Sequence, residues 1–336
     1  MTGGGETGRA ESVLGGHAPV MLREALAGLA IRSDGAYLDA TFGGGGHTQA
    51  ILAASAPDGR VLAVDADPAA FDRAERLRAL PGVGERLTFV RANFSEVGQL
   101  APAAGFPRLD GALFDLGVSS FQLDDGERGF AFRFDGPLDM RMDPTRGAPA
   151  ATMVATLDEA ELISIFRSYG EEPQARRIAR ALVAARERAG ITRTTQLAEI
   201  VSDAVGGRKG ARTHPATRVF QALRIAVNDE LGAIERGLSG AIELLSPGGR
   251  LVVIAFHSLE DRLVKRIIAE EATTCRCPEG SPICTCGAQP RLRRVGGSRL
   301  PAADEIAHNP RARSAVLRVA ERLPVTETKR AAEVRG

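Results

Sequence analysis

The run Asp39-Ala40-Thr41-Phe42-Gly43-Gly44-Gly45-Gly46-His47 ends a short apolar stretch in consecutive glycines. Such residues let a backbone approach a ligand closely and adopt positive φ. A second apolar stretch, Arg60–Asp65 (RVLAVD), ends some twenty residues downstream in a carboxylate that can accept from both hydroxyls of a ribose. A glycine run alone is equally consistent with a flexible turn, but the pair points to a nucleoside-bearing ligand. A further stretch closes in Phe114-Asp115-Leu116-Gly117-Val118-Ser119-Ser120. Asp115 there can meet an ammonium group or a target amine, or simply cap the following turn. Phe94, in Arg91-Ala92-Asn93-Phe94, is placed to cover an adenine ring, although core packing is the commoner fate of a single Phe.

Two ligand classes fit these features, a dinucleotide and S-adenosylmethionine. A dinucleotide fingerprint wants glycines at its first, third and sixth positions. Counted from Gly43 the sixth position is Thr48, and from Gly44 it is Gln49, so the fingerprint fails in both registers. A ligand without pyrophosphate needs neither the third glycine nor a tightly aimed helix terminus. Methyl transfer is therefore favoured over hydride transfer.

The elements that must hold these residues alternate. Strands are expected at Tyr37–Thr41, Arg60–Asp65, Leu87–Val90, Leu109–Phe114, Arg250–Phe256 and Ser314–Ala320, with a weaker one at Leu292–Val295 and a helix from Pro68 to Leu80. Strands apolar at every position are buried on both faces, which predicts a parallel α/β sheet. From about Asp124 to Thr213 no strand pattern occurs. Helical patterns at Leu157–Tyr169, Pro173–Ala189 and Thr195–Val205 fill this insertion, whose edges are the Gly- and Asp-rich stretch 124–147 and residues 206–210. The stripe Val219, Leu223, Val227, Leu231, Ile234, Leu238, Ile242 and Leu245 then predicts one long helix, Pro215–Leu245, stopped by Ser246-Pro247-Gly248-Gly249. The division expected is a disordered leader at 1–16, a catalytic unit at 17–123 and 214–325, a helical insertion at 124–213 and a disordered tail at 326–336.

A composition of 44% hydrophobic and 25% charged residues is that of a soluble globular protein, and a net charge of +1 announces no nucleic-acid partner globally. Local patches would have to meet one. Arg176, Arg177, Arg180, Arg186, Arg188 and Arg193 crowd the insertion, and Arg291, Arg293, Arg294 and Arg299 a C-terminal segment, with solvated helix faces the plainer reading for about half. The longest apolar run, about Leu251–Phe256, is too short to span a bilayer, and no targeting segment is visible, so a cytoplasmic location is expected. Phe130, Phe132 and Phe134 alternate as a half-buried strand face or a stacking platform for a base. His257, after the strongest strand, is a candidate for contact with the target nucleotide or a helix cap; His214 and His17 are weaker candidates. Cys275-x-Cys277 and Cys284-x-Cys286 depart from the usual spacing of zinc ligands, which favours a reduced surface loop and no metal.

Six blocks in order carry a resemblance: Asp39–Gly43 with Gly45-Gly46-His47, Asp115–Ser120, Gly136-Pro137-Leu138-Asp139-Met140-Arg141-Met142-Asp143, His214-Pro215-Ala216-Thr217-Arg218, Phe256-His257-Ser258-Leu259-Glu260-Asp261-Arg262 and Asn309-Pro310-Arg311-Ala312-Arg313-Ser314. Over roughly residues 17 to 322 the chain resembles the bacterial 16S ribosomal RNA cytosine-N4 methyltransferases. The resemblance implies a class I S-adenosylmethionine-dependent methyltransferase fold, Rossmann-like with a mostly parallel sheet and an inserted all-helical domain. It implies that Gly45, Gly46, His47, Asp65, Phe94, Asp115 and Gln122 line the S-adenosylmethionine site and that 16S rRNA in the small ribosomal subunit is the partner. A homodimer stays open. Two positions depart from the pattern: Gly44, where relatives carry a larger polar residue, and Phe121, where Pro is commoner.

The target amine would be a poor nucleophile, because its lone pair is delocalised into the ring. An acceptor for one N–H would localise that pair, and Asp115 leads the candidates, followed by His257. The alternatives are a methyltransferase acting on another RNA and a ribosome-assembly factor that keeps the fold.

Overall fold

Strands apolar at every position need cover on both faces, and helices supply it here. A computed structural model describes residues 19–207, 213–275, 277 and 285–324. In chain order come α1 (Leu22–Leu29), β1 (Ala36–Asp39), α2 (Gly46–Ala54), β2 (Arg60–Asp65), α3 (Ala70–Arg78), β3 (Leu87–Arg91), α4 (Val97–Ala103) and β4 (Leu109–Asp115). Helices α5 (Ser120–Asp124), α6 (Ala150–Thr156), α7 (Glu159–Ser168), α8 (Ala175–Arg186), α9 (Thr194–Val205) and α10 (Ala216–Asn228) follow with no strand between them among the described residues. Then come α11 (Glu230–Leu244), β5 (Leu245–Ala255), α12 (Ser258–Glu271), β6 (Leu292–Arg294), α13 (Ala303–His308) and β7 (Val316–Arg322).

The sheet order is β3-β2-β1-β4-β5-β7-β6. Strand β1 runs parallel to both β2 and β4, so the winding reverses there and a crevice opens at the carboxyl ends of these strands. Asp39, Asp65 and Asp115 close β1, β2 and β4 at that edge. One face packs Leu38, Val64 and Phe114 under Val97, Leu238 and Val264; the other packs Val61, Leu113 and Val252 under Leu29, Ile51 and Leu77. The sheet is mostly parallel, as the resemblance implies; at its far edge β7 is antiparallel to β5, and β6 to β7. An apolar strand has the same composition in either direction, so its pattern does not set its polarity.

The single helix expected over 215–245 is two. Asp229 has φ 47°, a left-handed residue between α10 and α11. Polar contacts that no apolar stripe records fix this break. Asn228 Nδ2 donates to the Met140 carbonyl at 2.7 Å, and its Oδ1 accepts from Met142 N–H at 2.8 Å. Arg224 and Glu230 face each other across the break in a bidentate, mostly buried pair at 2.8 and 2.9 Å. As a result Val219 and Leu223 of α10 join the insertion core of Leu162, Phe166, Ile178 and Leu197, while α11 lies on the sheet.

Nor do Phe130, Phe132 and Phe134 form a strand. Phe130 is buried, Phe132 packs 5.0 Å from the Phe220 ring and 4.7 Å from His214, and Phe134 is exposed beneath Arg133. Their alternation comes from a loop wrapped on α10.

Candidate cofactor and target-amine site

The crevice at the switch point is walled by the β1–α2 loop, the ends of β2 and β4, and the segment after β4. Gly43 and Gly45 have φ of +51° and +79°, which other residues adopt only with strain, and Gly45 N–H donates to the Phe42 carbonyl at 2.7 Å. Gly43, Gly44, Gly46 and His47 line the crevice; Gly45 makes the turn behind them. Asp65 stitches this loop to β2, since its Oδ2 accepts from Gly43 N–H at 2.7 Å and its Oδ1 from Asp67 N–H at 2.8 Å. Burial pushes its carboxyl up to about 6, against the pull of those two N–H donors. Each oxygen keeps a second lone pair for a ribose hydroxyl.

Asp115 lines the crevice with its Oδ1 buried and without a hydrogen-bond partner. Burial raises its carboxyl well above the usual carboxylate range, and the charges of Asp39 and Glu260 add to the effect. Its own N–H donates to Thr41 Oγ1 at 2.7 Å, which ties β4 to the glycine loop. His47 Nε2 lies 3.1 Å from the Val20 carbonyl and its Nδ1 3.6 Å from Asp115 Oδ2. Burial lowers the His47 pKa although Asp39 pulls the other way, so the ring is neutral. The neutral tautomer that satisfies Val20 carries its proton on Nε2, and Nδ1 then presents a lone pair toward Asp115.

Gln122 is buried with its amide engaged on both sides. Its Oε1 accepts from Ser119 N–H at 3.0 Å, and its Nε2 donates to Asp67 Oδ2 at 3.0 Å, an oxygen that Arg128 also reaches at 2.8 Å. It builds the wall as a member of the α5 capping box. Phe94 lines the same crevice and meets Phe114 edge-on, with ring centroids 5.7 Å apart.

The structure places His257 as the cap of α12 rather than in the crevice lining. Its Nδ1 accepts from Glu260 N–H at 3.4 Å, and its Nε2 sits 3.1 Å from Glu260 Oε1 without hydrogen-bond alignment. Burial opposes ionisation of Glu260, but His257, Arg224 and the Phe256 N–H outweigh it and hold the carboxyl below its ordinary value. His17 and Cys284 lie outside the described residues.

Pro19, Val20, Asn309 and Arg311, not among the residues expected at the site, also wall the crevice. Arg311 donates to Asp124 Oδ1 at 2.8 Å, while its Nη1 is buried with no partner. Its signal was present in the block Asn309–Ser314, but nothing local ties that block to a strand end ~200 residues earlier. The arginines divide. Arg176, Arg177 and Arg180 are exposed on α8, with Arg180 3.8 Å from Glu159, whereas Arg186 donates to the carbonyls of Val154 and Leu157, Arg193 pairs with Asp135 and Arg291 with Glu271 and Glu243.

A mostly parallel sheet with this switch point, a glycine turn without the dinucleotide spacing, a ribose-ready Asp65 and an orphaned buried carboxyl at Asp115 define a class I S-adenosylmethionine-dependent methyltransferase. The residues fit that cofactor: the glycine turn leaves room for its amino-acid end, Asp65 suits its ribose and Phe94 its adenine. The chain belongs to the MraW methylase family, whose model matches residues 15–323. It is 58% identical over 309 residues to the "Ribosomal RNA small subunit methyltransferase H" of Thermomicrobium roseum, covering 91% of this chain and 94% of that one. With the protein of the same name from Geobacter sulfurreducens it shares 52% identity, over 91% and 99% of the two chains. A solved rRNA methylase from Streptococcus thermophilus is similar at 11% identity and a TM-score of 0.41, covering 90% of this chain and 95% of that one. That likeness adds nothing to the reading of the site. No helix among the described residues is long and apolar enough to cross a membrane.

Proposed function

We propose that this chain transfers the methyl group of S-adenosylmethionine to the N4 amine of a cytidine in 16S rRNA, acting on the small ribosomal subunit in the cytoplasm. The observation that carries the chemistry is the buried, unpartnered Oδ1 of Asp115 at the end of β4. The names of the relatives supply the RNA.

The bound cofactor supplies an electrophilic methyl on a sulfonium. Gly45 and Gly46 shape the loop that admits it, Asp65 accepts from its ribose, Phe94 covers its adenine, and Gln122 and His47 hold the walls. Asp115 accepts an N–H of the target amine, which localises the nitrogen lone pair for in-line attack. With the methyl passing from the sulfonium to the nitrogen and leaving a neutral thioether, the amine loses that proton, and the ionised Asp115 takes it, since burial and the nearby Asp39 and Glu260 raise its proton affinity. His47 Nδ1, 3.6 Å from Oδ2, faces the protonated carboxyl with a lone pair. His257 acts at one remove, through Glu260, which accepts from Phe256 N–H at 2.8 Å on the crevice wall. Exposed arginines of α8 hold RNA phosphates.

The test is transfer of tritium from labelled S-adenosylmethionine to purified small subunits. Incorporation by the wild type is expected; cofactor binding with no transfer to small subunits or their RNA would leave the fold without this activity.

A further inference from the structure

We propose that Cys275, Cys277 and Cys286 hold a structural zinc ion that fastens the excursion between α12 and β6. Their spacing favours a plain surface loop, since a Cys-x-Cys pair is tighter than usual for zinc. The fold changes that picture by bringing a third thiol to the pair. The three sulfurs lie within 4.8 Å of one another, and Cys286 Sγ is 4.0 Å from Cys275 Sγ. A tetrahedral site with Zn–S bonds of about 2.3 Å separates its sulfurs by about 3.8 Å. A disulfide between any two of them would need about 2.0 Å. The cluster therefore has the dimensions of a shared cation. Cys277 N–H points to Cys275 Sγ at 3.5 Å, the kind of contact that steadies a thiolate ligand.

The base of the same excursion is already closed. Arg291 N–H donates to the Glu271 carbonyl at 2.8 Å, and its guanidinium pairs with the Glu271 carboxylate at the end of α12. Zinc on the thiols would add a second tie between the residues that follow α12 and those that precede β6. Each thiol that binds releases its proton to solvent, and no oxidant is required. A second constellation, Glu230, His257 and Glu260, has ligand-like distances too, but the Arg224 guanidinium pairs with Glu230 there and supplies the positive charge.

The test uses the full chain purified under reducing conditions without added zinc. Metal analysis should find about one zinc per chain in the wild type and much less in Cys277→Ser. Cobalt exchanged into the wild type should give the thiolate charge-transfer absorption of a tetrahedral sulfur site. If Cys277→Ser fails to fold, a zinc chelator added to the wild type should lower the melting temperature reversibly, with zinc restoring it. Wild-type protein without stoichiometric zinc that also shows no sulfur-to-cobalt band would overturn the proposal. So would full zinc content in a Cys275→Ser, Cys277→Ser and Cys286→Ser triple variant, or a native disulfide between any two of the three.

Discussion

Gly44 and Phe121 touch across the mouth of the crevice: a β-carbon on Gly44 would lie 2.9 Å from Phe121 Cε2. Arg73 lies over the same ring, 4.5 Å from its centroid, and its Nε donates to the Gly43 carbonyl at 2.8 Å. The two positions expected to depart from the family pattern thus form one packing unit, in which a bulky ring is admitted because its neighbour has no side chain. Gly44→Ser alone should destabilise the chain and weaken cofactor binding, and Gly44→Ser with Phe121→Pro should recover part of both losses. A double-mutant cycle read by denaturant unfolding should give a coupling of about 0.5–3 kcal/mol. Additive effects would show that the contact is incidental.

If Asp65 accepts from the cofactor ribose as proposed, cofactor affinity should depend on pH. With its carboxyl pushed up to about 6, the ionised form that accepts from ribose hydroxyls dominates above that pH and is lost below it. Affinity for S-adenosylmethionine should fall as pH drops through about 6, approaching tenfold per unit. Asp65→Ala should bind about 10- to 150-fold more weakly at neutral pH, from the loss of about 1.5–3 kcal/mol of charge-assisted hydrogen bonding. It should also lack the part of the slope that belongs to Asp65. Calorimetric titration of both proteins from pH 5 to 8 measures this, and identical slopes would remove Asp65 from the ribose site.

Asp115→Asn keeps the shape of the carboxyl but cannot take up a proton. Single-turnover methyl transfer should slow by roughly 10²- to 10⁴-fold, the usual range for losing a positioned acid or base. Cofactor affinity should change far less. A variant that loses cofactor binding and keeps its transfer rate at saturation would assign Asp115 to the methionine ammonium group instead.

The exposed face of α8 is the part of the insertion proposed to meet phosphates. Arg176→Glu, Arg177→Glu and Arg180→Glu together should sharply reduce methylation of small subunits and flatten the salt dependence of RNA binding. Cofactor affinity should stay near wild type, because these side chains lie outside the crevice lining. Full activity in the triple variant would move the RNA to another face. Arg294 and Arg299 are then the better candidates, since Arg291 is committed to Glu271 and Glu243.

The glycine loop, Asp65 and Asp115 were legible in the sequence because each is a local signal at the end of an apolar strand. Three kinds of feature were not. The direction of β7 depends on its partner β5, and an apolar strand carries no mark of polarity. The break at Asp229 depends on Asn228 reaching Met140 and Met142, residues more than eighty positions away. The trio of thiols depends on Cys286 lying beside Cys275, which spacing within each pair does not encode. Gln122 was legible as part of the crevice wall but not in its role, and His257 proved to be a helix cap outside the lining; both side chains are spent on capping boxes.

The identity of the methylated nucleoside tests the central claim most directly. Small subunits from cells lacking this protein, treated with the purified chain and methyl-labelled S-adenosylmethionine, can be digested to nucleosides and separated by mass spectrometry. The account predicts that the label appears in N4-methylcytidine from 16S rRNA and that the Asp115→Asn protein yields almost none. Label in a ring-methylated cytidine, in a ribose-methylated nucleoside or in another base would contradict it.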